Sequence, residues 1–466
     1  MSCAGRFVFP RGALAVAGGV LLLISSSLRA RSAENGALAQ LDFRKVVKEA
    51  KEKVFPTVVF IKCVRAGMEG GEKKTQSVAG SGVLISAKGE VLSNWHVVER
   101  AIEVRCLLQD GRAFNARVVG ADKDVDISVL QLELPPGSSP LPFAALGSSS
   151  VLTEGDFVMA MGAPFGLARS VSIGIISCTK RYLPSASEYS AWLQTDASIS
   201  PGNSGGPLVN TQGEVIGINT RGIAYGGGDT GFAVPIEVAR EVSGQIRTLG
   251  RMDWSWTGLQ LQPLKDFDRN IYFPESEGVM VAETDPESPA RRAGVQHGDR
   301  LVKLNGEKIT GLTQEDIPAV NRRLGLLPKD KPAKVELIRQ GKPVTVEFTP
   351  RAKGQTEGDQ LDCPRWDFTA KAINQFDTPD LFFQRSQGVF VFGVKYPGNA
   401  AHSGLMPRDI LTRVDQKEVN NLDDVKAAHG EALAKVQSKP RVVLTVLRNG
   451  EVRQIVLNFA REHEKE

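Results

Sequence analysis

Residues 196–208 read DASISPGNSGGPL, three serines, three glycines and two prolines in thirteen positions. Clusters of this composition ordinarily make plain turns. A serine that attacks a carbonyl needs more than a turn. It needs a base to take its proton, a group that holds the base, and backbone N–H groups aimed at the developing oxyanion. Glycine permits the φ/ψ angles that point successive N–H groups into one hole. Within GNSGG the N–H groups of Gly202 and Ser204 are the natural donors. Ser198 and Ser200 lead into Pro201, where the backbone is held extended. Ser204 is therefore the candidate nucleophile.

The chain has five histidines. His96 alone shares a β-rich region with Ser204, at the end of the apolar stretch EVLSNWHVV (residues 90–98). His297 and His402 lie near turns in a repeated region, and His463 lies in a charged tail. The orienting acid comes from ADKDVDISVLQL (residues 121–132). Asp126 directly precedes the apolar strand, whereas Asp122 and Asp124 are read as solvent-facing turn residues.

From residue 79 to 238 the chain is a series of short apolar runs punctuated by Gly, Asn and Asp: SGVLIS, EVLSNWHVV, EVRCLL, DISVLQL, DFVMAMG, SVSIGIIS, EVIGINT and GFAVP. This pattern predicts an all-β barrel or sandwich. Helical spacing returns at residues 235–249. Ahead of the strands, Asp42 can cap a helix whose apolar positions are Phe43, Val46, Val47, Ala50 and Val54, ended by Pro56. A strand is expected at residues 58–63, then a charged loop at 67–76.

Beyond Arg251 the sequence repeats itself. Ala290, Gly294, Asp299, Leu301 and Ile309 reappear 110 positions later as Ala400, Gly404, Asp409, Leu411 and Val419. Each copy ends in a strand pair around a glycine turn, with Asn449-Gly450 a strong hairpin signal. Two copies are too few for a solenoid, so two similar globular modules follow, joined by a polar linker at residues 352–362.

A length of 466 residues exceeds one core and predicts about three domains. Arg6 and Arg11, an uncharged apolar run at residues 13–24 and small residues up to Ala30 form a secretory leader, shorter than the roughly 20 residues a spanning helix needs. If it remains uncleaved, it is a membrane anchor. Removing residues 1–30 takes away Arg6, Arg11 and Arg29 and no acid. That lowers 57 basic residues to 54 against 53 acidic ones, a net charge of +1. Near neutrality argues against a nucleic-acid partner. Cys63, Cys106, Cys178 and Cys363 are far apart with no CxxC spacing, so no metal or redox motif is read from them. No phosphate-binding P-loop is present, and no cofactor is expected.

The order His96, Asp126, Ser204 within one β-rich region is the chymotrypsin order. With SNWHVV, DVDISVLQL, GDFVMAMGAPFG, TDASISPGNSGGPLVN, GEVIGINT and GFAVPIEVA, the sequence resembles the HtrA/Deg family of serine proteases from about Phe55 onward. The resemblance implies a mainly β fold: a chymotrypsin-like double β-barrel followed by two PDZ domains. The implied divisions are a signal peptide (1–30), an N-terminal helical segment (31–55), a trypsin-like protease domain (56–250), a first PDZ domain (252–351) and a second (360–461). His96 is then general base and acid, Asp126 holds its tautomer, and Ser204 attacks. Gly202, Asn203 and Ser204 supply oxyanion donors.

Further implications follow from the same resemblance. Ile199, Gly222 and Ile223 line the primary specificity pocket, which favours small or medium aliphatic side chains. Asn203 replaces the acid that pairs with a new N-terminus in digestive relatives, so activation by cleavage is not demanded. Loops near residues 169–172, 182–189 and 221–229, the last holding Gly226-Gly227-Gly228, are expected to order the oxyanion hole. Thr257, Gly258, Leu259 and Gln260 form the first PDZ domain's carboxylate loop, while Asp367 stands where the second domain's glycine is expected. Trp95 and Ala163 depart from the family pattern without removing a catalytic group. Implied partners are unfolded proteins, peptide C-termini and further copies of the protein in a homotrimer or multiple of trimers, in the periplasm or another extracytoplasmic space. A protease with one dedicated substrate, or a peptide-binding protein with a silent site, would carry the same residues.

Overall fold

The computed structural model describes residues 42–69, 72–164, 169–184, 186–225 and 228–462. The leader, residues 165–168 of the GAPFG stretch, Gly226, Gly227 and His463 lie outside the described residues. Helix α1 (Phe43–Val54) starts where the Asp42 carboxylate accepts the Arg44 N–H at 3.1 Å. Its apolar stripe ends in Ala50 and Val54, both fully buried in the largest core.

Two barrels follow. The first is built from β1 (Val58–Glu69), β2 (Glu72–Leu84), β3 (Glu90–Ser93), β4 (Ala101–Leu107), β5 (Ala113–Asp122) and β6 (Ile127–Leu132). They close in the order β1-β2-β3-β6-β5-β4, with the short helix α2 (Trp95–Val98) between β3 and β4. The second comprises β7 (Phe157–Gly162), β8 (Ser170–Arg181), β9 (Trp192–Thr195), β10 (Pro207–Val209), β11 (Val215–Tyr225) and β12 (Gly228–Pro235), closed as β10-β11-β12-β9-β8-β7. Strand β6 is buried at five of its six positions. One face fills the barrel, and the other meets the core shared by both barrels, which holds Ile127, Val129, Met159, Met161 and Ile218. Helix α3 (Ile236–Leu249) seals that core with Ile236, Ala239, Val242 and Ile246.

Residues 67–69 and 72–76, expected in a loop, are instead paired parts of β1 and β2, in register out to Glu69↔Glu72. Their charged residues disguise the strands, because a strand with a solvated face needs no continuous apolar run.

The first C-terminal module runs β13 (Ser255–Trp256), β14 (Leu259–Gln262), β15 (Lys265–Asp266), β16 (Ile271–Tyr272), β17 (Val279–Thr284), α4 (Pro289–Arg292), β18 (Arg300–Leu304), β19 (Glu307–Lys308), α5 (Ile317–Gly325), β20 (Ala333–Arg339), β21 (Lys342–Phe348) and β22 (Arg351–Ala352). The second runs β23 (Gln360–Cys363), β24 (Phe368–Ala372), α6 (Pro379–Gln384), β25 (Val389–Val394), α7 (Asn399–His402), β26 (Ile410–Val414), β27 (Lys417–Glu418), α8 (Leu422–Ala434), β28 (Arg441–Arg448) and β29 (Glu451–Asn458). The 110-residue repeat is structural. Asp299 is buried against the Arg339 guanidinium at 2.7 Å, and Asp409 against Arg448 at 2.6 Å. Gly294 and Gly404 both take positive φ, +91° and +83°, where the backbone turns out of α4 and α7. Among the described residues no helix is long and apolar enough to cross a membrane.

Candidate active site

Strand β3 is paired to β2 and β6, so its end is fixed on both sides. There Asn94 leaves the sheet. Its side-chain amide donates to the Asp126 carbonyl at 2.9 Å, and its own carbonyl accepts the Ser128 hydroxyl at 2.9 Å. His96 follows on α2. Asp126 stands at the start of β6 with φ +57°, a left-handed conformation that Asp tolerates better than most residues. The turn brings its carboxylate back over α2. It accepts the His96 backbone N–H at 3.1 Å and faces imidazole Nδ1 at 2.8 and 3.0 Å. The carboxylate side chain is 4 % exposed and the imidazole 36 %, so the acid is buried and the ring's outer edge reaches the cleft.

Ser204 arrives from the other barrel. Its hydroxyl donates to the Thr220 carbonyl at 2.9 Å. The Thr220 side chain donates to the Asp126 carboxylate. One β11 residue thus touches both the serine and the acid, across the seam between the barrels. The hydroxyl has a single proton and in this geometry directs it to Thr220.

The turn around Ser204 is over-determined. Gly202 has φ +99° and Gly205 φ +84°. A Cβ on Gly205 would lie 2.1 Å from the Ser81 carbonyl and 2.3 Å from the Ser93 hydroxyl, so only glycine fits. The Ser81 hydroxyl donates to the Gly202 carbonyl at 2.6 Å, and the Asn203 N–H donates to the Ser200 carbonyl at 3.0 Å. The peptide between Gly202 and Asn203 is therefore held at both ends. The Asn203 N–H, expected as an oxyanion donor, is engaged by the Ser200 carbonyl in this structure. The buried Asn203 side chain accepts the Ser170 hydroxyl at 3.2 Å and lies against Gly162, where a Cβ would come within 2.4 Å.

Ile199 is 8 % exposed and packs in the core of the second barrel. Gly222 and Gly231 face each other across β11 and β12. A Cβ on Gly222 would lie 2.6 Å from the Ile199 carbonyl, and one on Gly231 2.8 Å from Ile199 Cδ1. Paired glycines make the space that Ile199 occupies. Ile223 pairs with Thr230 in the same ladder.

Asp122 and Asp124 do not face solvent as the sequence suggested. Asp122 is 7 % exposed and accepts the Trp254 indole N–H at 2.8 Å and the Val125 N–H at 2.9 Å. Burial, with Asp124 nearby, pushes its carboxyl up to about 6. Asp124 binds the Lys353 ammonium at 2.9 Å, and Glu188 binds it at 2.7 Å. Burial alone would lower the Lys353 ammonium, but the two carboxylates outweigh it and hold it above its ordinary value. Trp254 stacks on Tyr189 at 4.0 Å. The segments entering and leaving the first module are therefore both fastened to the loop that carries Asp126. The sequence offered no sign of this, since Lys353 and Asp124 are 229 positions apart.

A trypsin-like peptidase domain model matches residues 80–218, and a PDZ domain model matches residues 251–327. The chain is 35 % identical over 404 residues to a probable periplasmic serine endoprotease DegP-like of Ectopseudomonas mendocina, across 84 % of this chain and 82 % of that one. The chain belongs to the HtrA/Deg family of serine endoproteases. The periplasmic serine endoprotease DegP of Escherichia coli is 31 % identical, across 85 % of this chain and 80 % of its own length. Among solved structures, the HtrA-type protease AlgW with tripeptide aligns with TM-score 0.57 at 31 % identity, covering 66 % of this chain and 97 % of that one. The protein is thus a serine endopeptidase of HtrA/Deg type, with a barrel pair as its protease domain and a PDZ domain in its first module.

Proposed function

We propose that this endopeptidase hydrolyses unfolded or damaged proteins in an extracytoplasmic compartment, without ATP, through His96, Asp126 and Ser204. The observation that carries the reading is the continuous contact from Ser204 through Thr220 to Asp126 and His96. In the proposed reaction His96 takes the Ser204 proton as Oγ attacks the peptide carbonyl. Asp126 keeps Nδ1 protonated and stabilises the imidazolium, and the N–H groups of Gly202 and Ser204 receive the oxyanion. His96 then protonates the leaving amine, and water repeats the sequence on the acyl-enzyme. The aliphatic surroundings of Ile199, with Gly222 and Gly231 beside it and Ile223 in the same ladder, favour small or medium aliphatic side chains before the cut.

The second module shares the strand and helix order of the first and is read as a second PDZ fold. In the first, Thr257, Gly258, Leu259 and Gln260 surround the carboxylate position for a peptide C-terminus, with β14 as the open edge that a peptide strand would extend. Oligomerisation through the protease domain is proposed as a homotrimer or multiple of trimers. Phe157 and Ile173 are exposed on the neighbouring strands β7 and β8, and Phe43 of α1 packs on Phe157 at 4.9 Å. Residues 1–30 are read as a cleaved leader.

The test is cleavage of an unfolded protein by residues 31–466, wild type and Ser204→Ala. Degradation by the wild type and none by the variant is expected. Equal rates would remove Ser204 from the mechanism, and binding without cleavage by the wild type would make this a peptide-binding protein.

A further inference from the structure

The two modules differ where a PDZ groove takes its ligand. In the first, β14 ends its sheet and pairs only with β17, so one edge is open. In the second, the corresponding strand β24 is paired on both sides. Its outer partner is β23, drawn from the stretch read in sequence as a linker, antiparallel from Cys363↔Phe368 to Gln360↔Lys371. Strand β23 also packs against α8. Cys363 is fully buried in the module's core, Leu361 packs against that core, and both share it with Val425 and Ala428 of α8. An added peptide strand would lie in that place, between edge strand and helix.

The carboxylate loop of the second module is also altered. In the first, a Cβ on Gly258 would lie 2.1 Å from the Ser288 Cβ. In the second the small residue has changed sides: Asp367 stands opposite Gly398, where a Cβ would lie 2.8 Å from the Asp367 Cβ. The Asp367 carboxylate, 2 % exposed as a residue, turns inward and accepts the Asn399 N–H at 2.7 Å.

What the second module does present is aimed at the first. A cleft of about 600 Å³ opens along Thr257, Gly258 and Leu259, with Leu324 of α5 on one side. The other side is Phe376, Phe382 and Phe383 of the second module. The Phe376 ring meets Trp256 edge-on at 6.4 Å. Phe383 is 91 % exposed and lines the cleft beside the half-buried Phe376 and Phe382. The segment is held in shape by Asn374, whose side chain accepts the Phe376 N–H at 2.8 Å and donates to the Gln355 carbonyl at 2.8 Å.

We propose that the second module is not a peptide receptor but the far wall of the first module's receptor: β23 fills its own groove, and Phe376, Phe382 and Phe383 read apolar side chains of a peptide C-terminus bound along β14. Alternate side chains of an extended peptide point to opposite faces. One set meets Leu324, and the other meets the phenylalanine wall. The ligand class is a free C-terminal peptide with large aliphatic or aromatic residues in both sets. This rests on the reading of the first module as a C-terminal peptide site.

The experiment titrates full-length Ser204→Ala protein with fluorescein-labelled heptapeptides ending in a free carboxylate, one with apolar residues in the last four positions and one with serines at alternate positions. One peptide per protein molecule is expected. Phe383→Ser, which changes a solvent-exposed side chain and spares the core, weakens the apolar peptide about fivefold, the scale of one aromatic contact, and leaves the serine peptide unchanged. Phe376→Ser behaves likewise. Unchanged affinity in both variants overturns the wall while leaving the first module's peptide reading intact. No binding by the parent protein overturns both readings. Two peptides per protein molecule overturn the occupied groove. Iodoacetamide labelling of Cys363, followed by mass spectrometry, checks the same point without a variant. Labelling stays slow at saturating peptide if β23 is a fixed occupant, and accelerates if peptide displaces it.

Discussion

Thr220→Val is the most informative single change in the site. Valine keeps the branched shape and the backbone carbonyl that receives the Ser204 hydroxyl, and removes only the hydrogen bond to the Asp126 carboxylate. A hydrogen bond to a charged group contributes about 1.5–3 kcal/mol. If that stabilisation is lost in the transition state, kcat/KM falls roughly 10- to 150-fold. Asp126 retains the His96 N–H and Nδ1 contacts, so the loss is smaller than for removing the acid. Peptide cleavage kinetics supply the assay for wild type, Thr220→Val and Thr220→Ser. Serine restores the donor and should recover most of the rate. A Thr220→Val enzyme within twofold of wild type would refute the role assigned to Thr220.

Three further outcomes are expected. Ile199→Ala enlarges the space beside Gly222 and Gly231, and a peptide-library cleavage profile should shift toward larger residues before the cut; an unchanged profile removes Ile199 from the pocket. Asp122 is raised from an ordinary 3.8 to about 6 in the folded protein, so its contribution is fully present below about pH 4 and lost as pH rises through 6. Wild type should lose up to about 3 kcal/mol relative to Asp122→Asn across that window, read from urea midpoints, and parallel pH curves would contradict the burial argument. Lys353→Met leaves Asp124 and Glu188 without their cation. Because these carboxylates are 22 % and 49 % exposed, the cost is about 1–3 kcal/mol, below that of a fully buried pair, and an unchanged melting temperature would contradict it.

The legible part of this protein was local. Apolar runs of strand length, spaced by turn residues, predicted the β-rich region, because a strand in a closed barrel writes its burial directly into a few consecutive residues. Ser204 is read over Ser198 and Ser200 because proline restricts backbone angles and glycine widens them, whatever surrounds them. The 110-residue repeat was visible because buried Asp299 and Asp409 each follow a turn glycine, Gly294 and Gly404, at the same spacing. The charged parts of β1 and β2 were not visible as strands, since charged arms carry no burial signal.

Sequence by itself determined which residue types could do chemistry, their order, and the positions where only glycine can turn. Tertiary structure decided which of them meet. Thr220 reads as one polar residue at the end of GINT and becomes the link between serine and acid because β11 passes the seam between barrels. Asp122 and Asp124 read as a solvated turn, yet Asp122 became buried and Asp124 half-buried because the segments on either side of the first module dock there. Residues 360–362 read as linker and became part of a strand because a half-open sheet edge and α8 offered β23 both its hydrogen bonds and a place for Leu361 and Cys363. These partners lie up to 229 positions away, and composition within a short window holds no record of a partner at that distance.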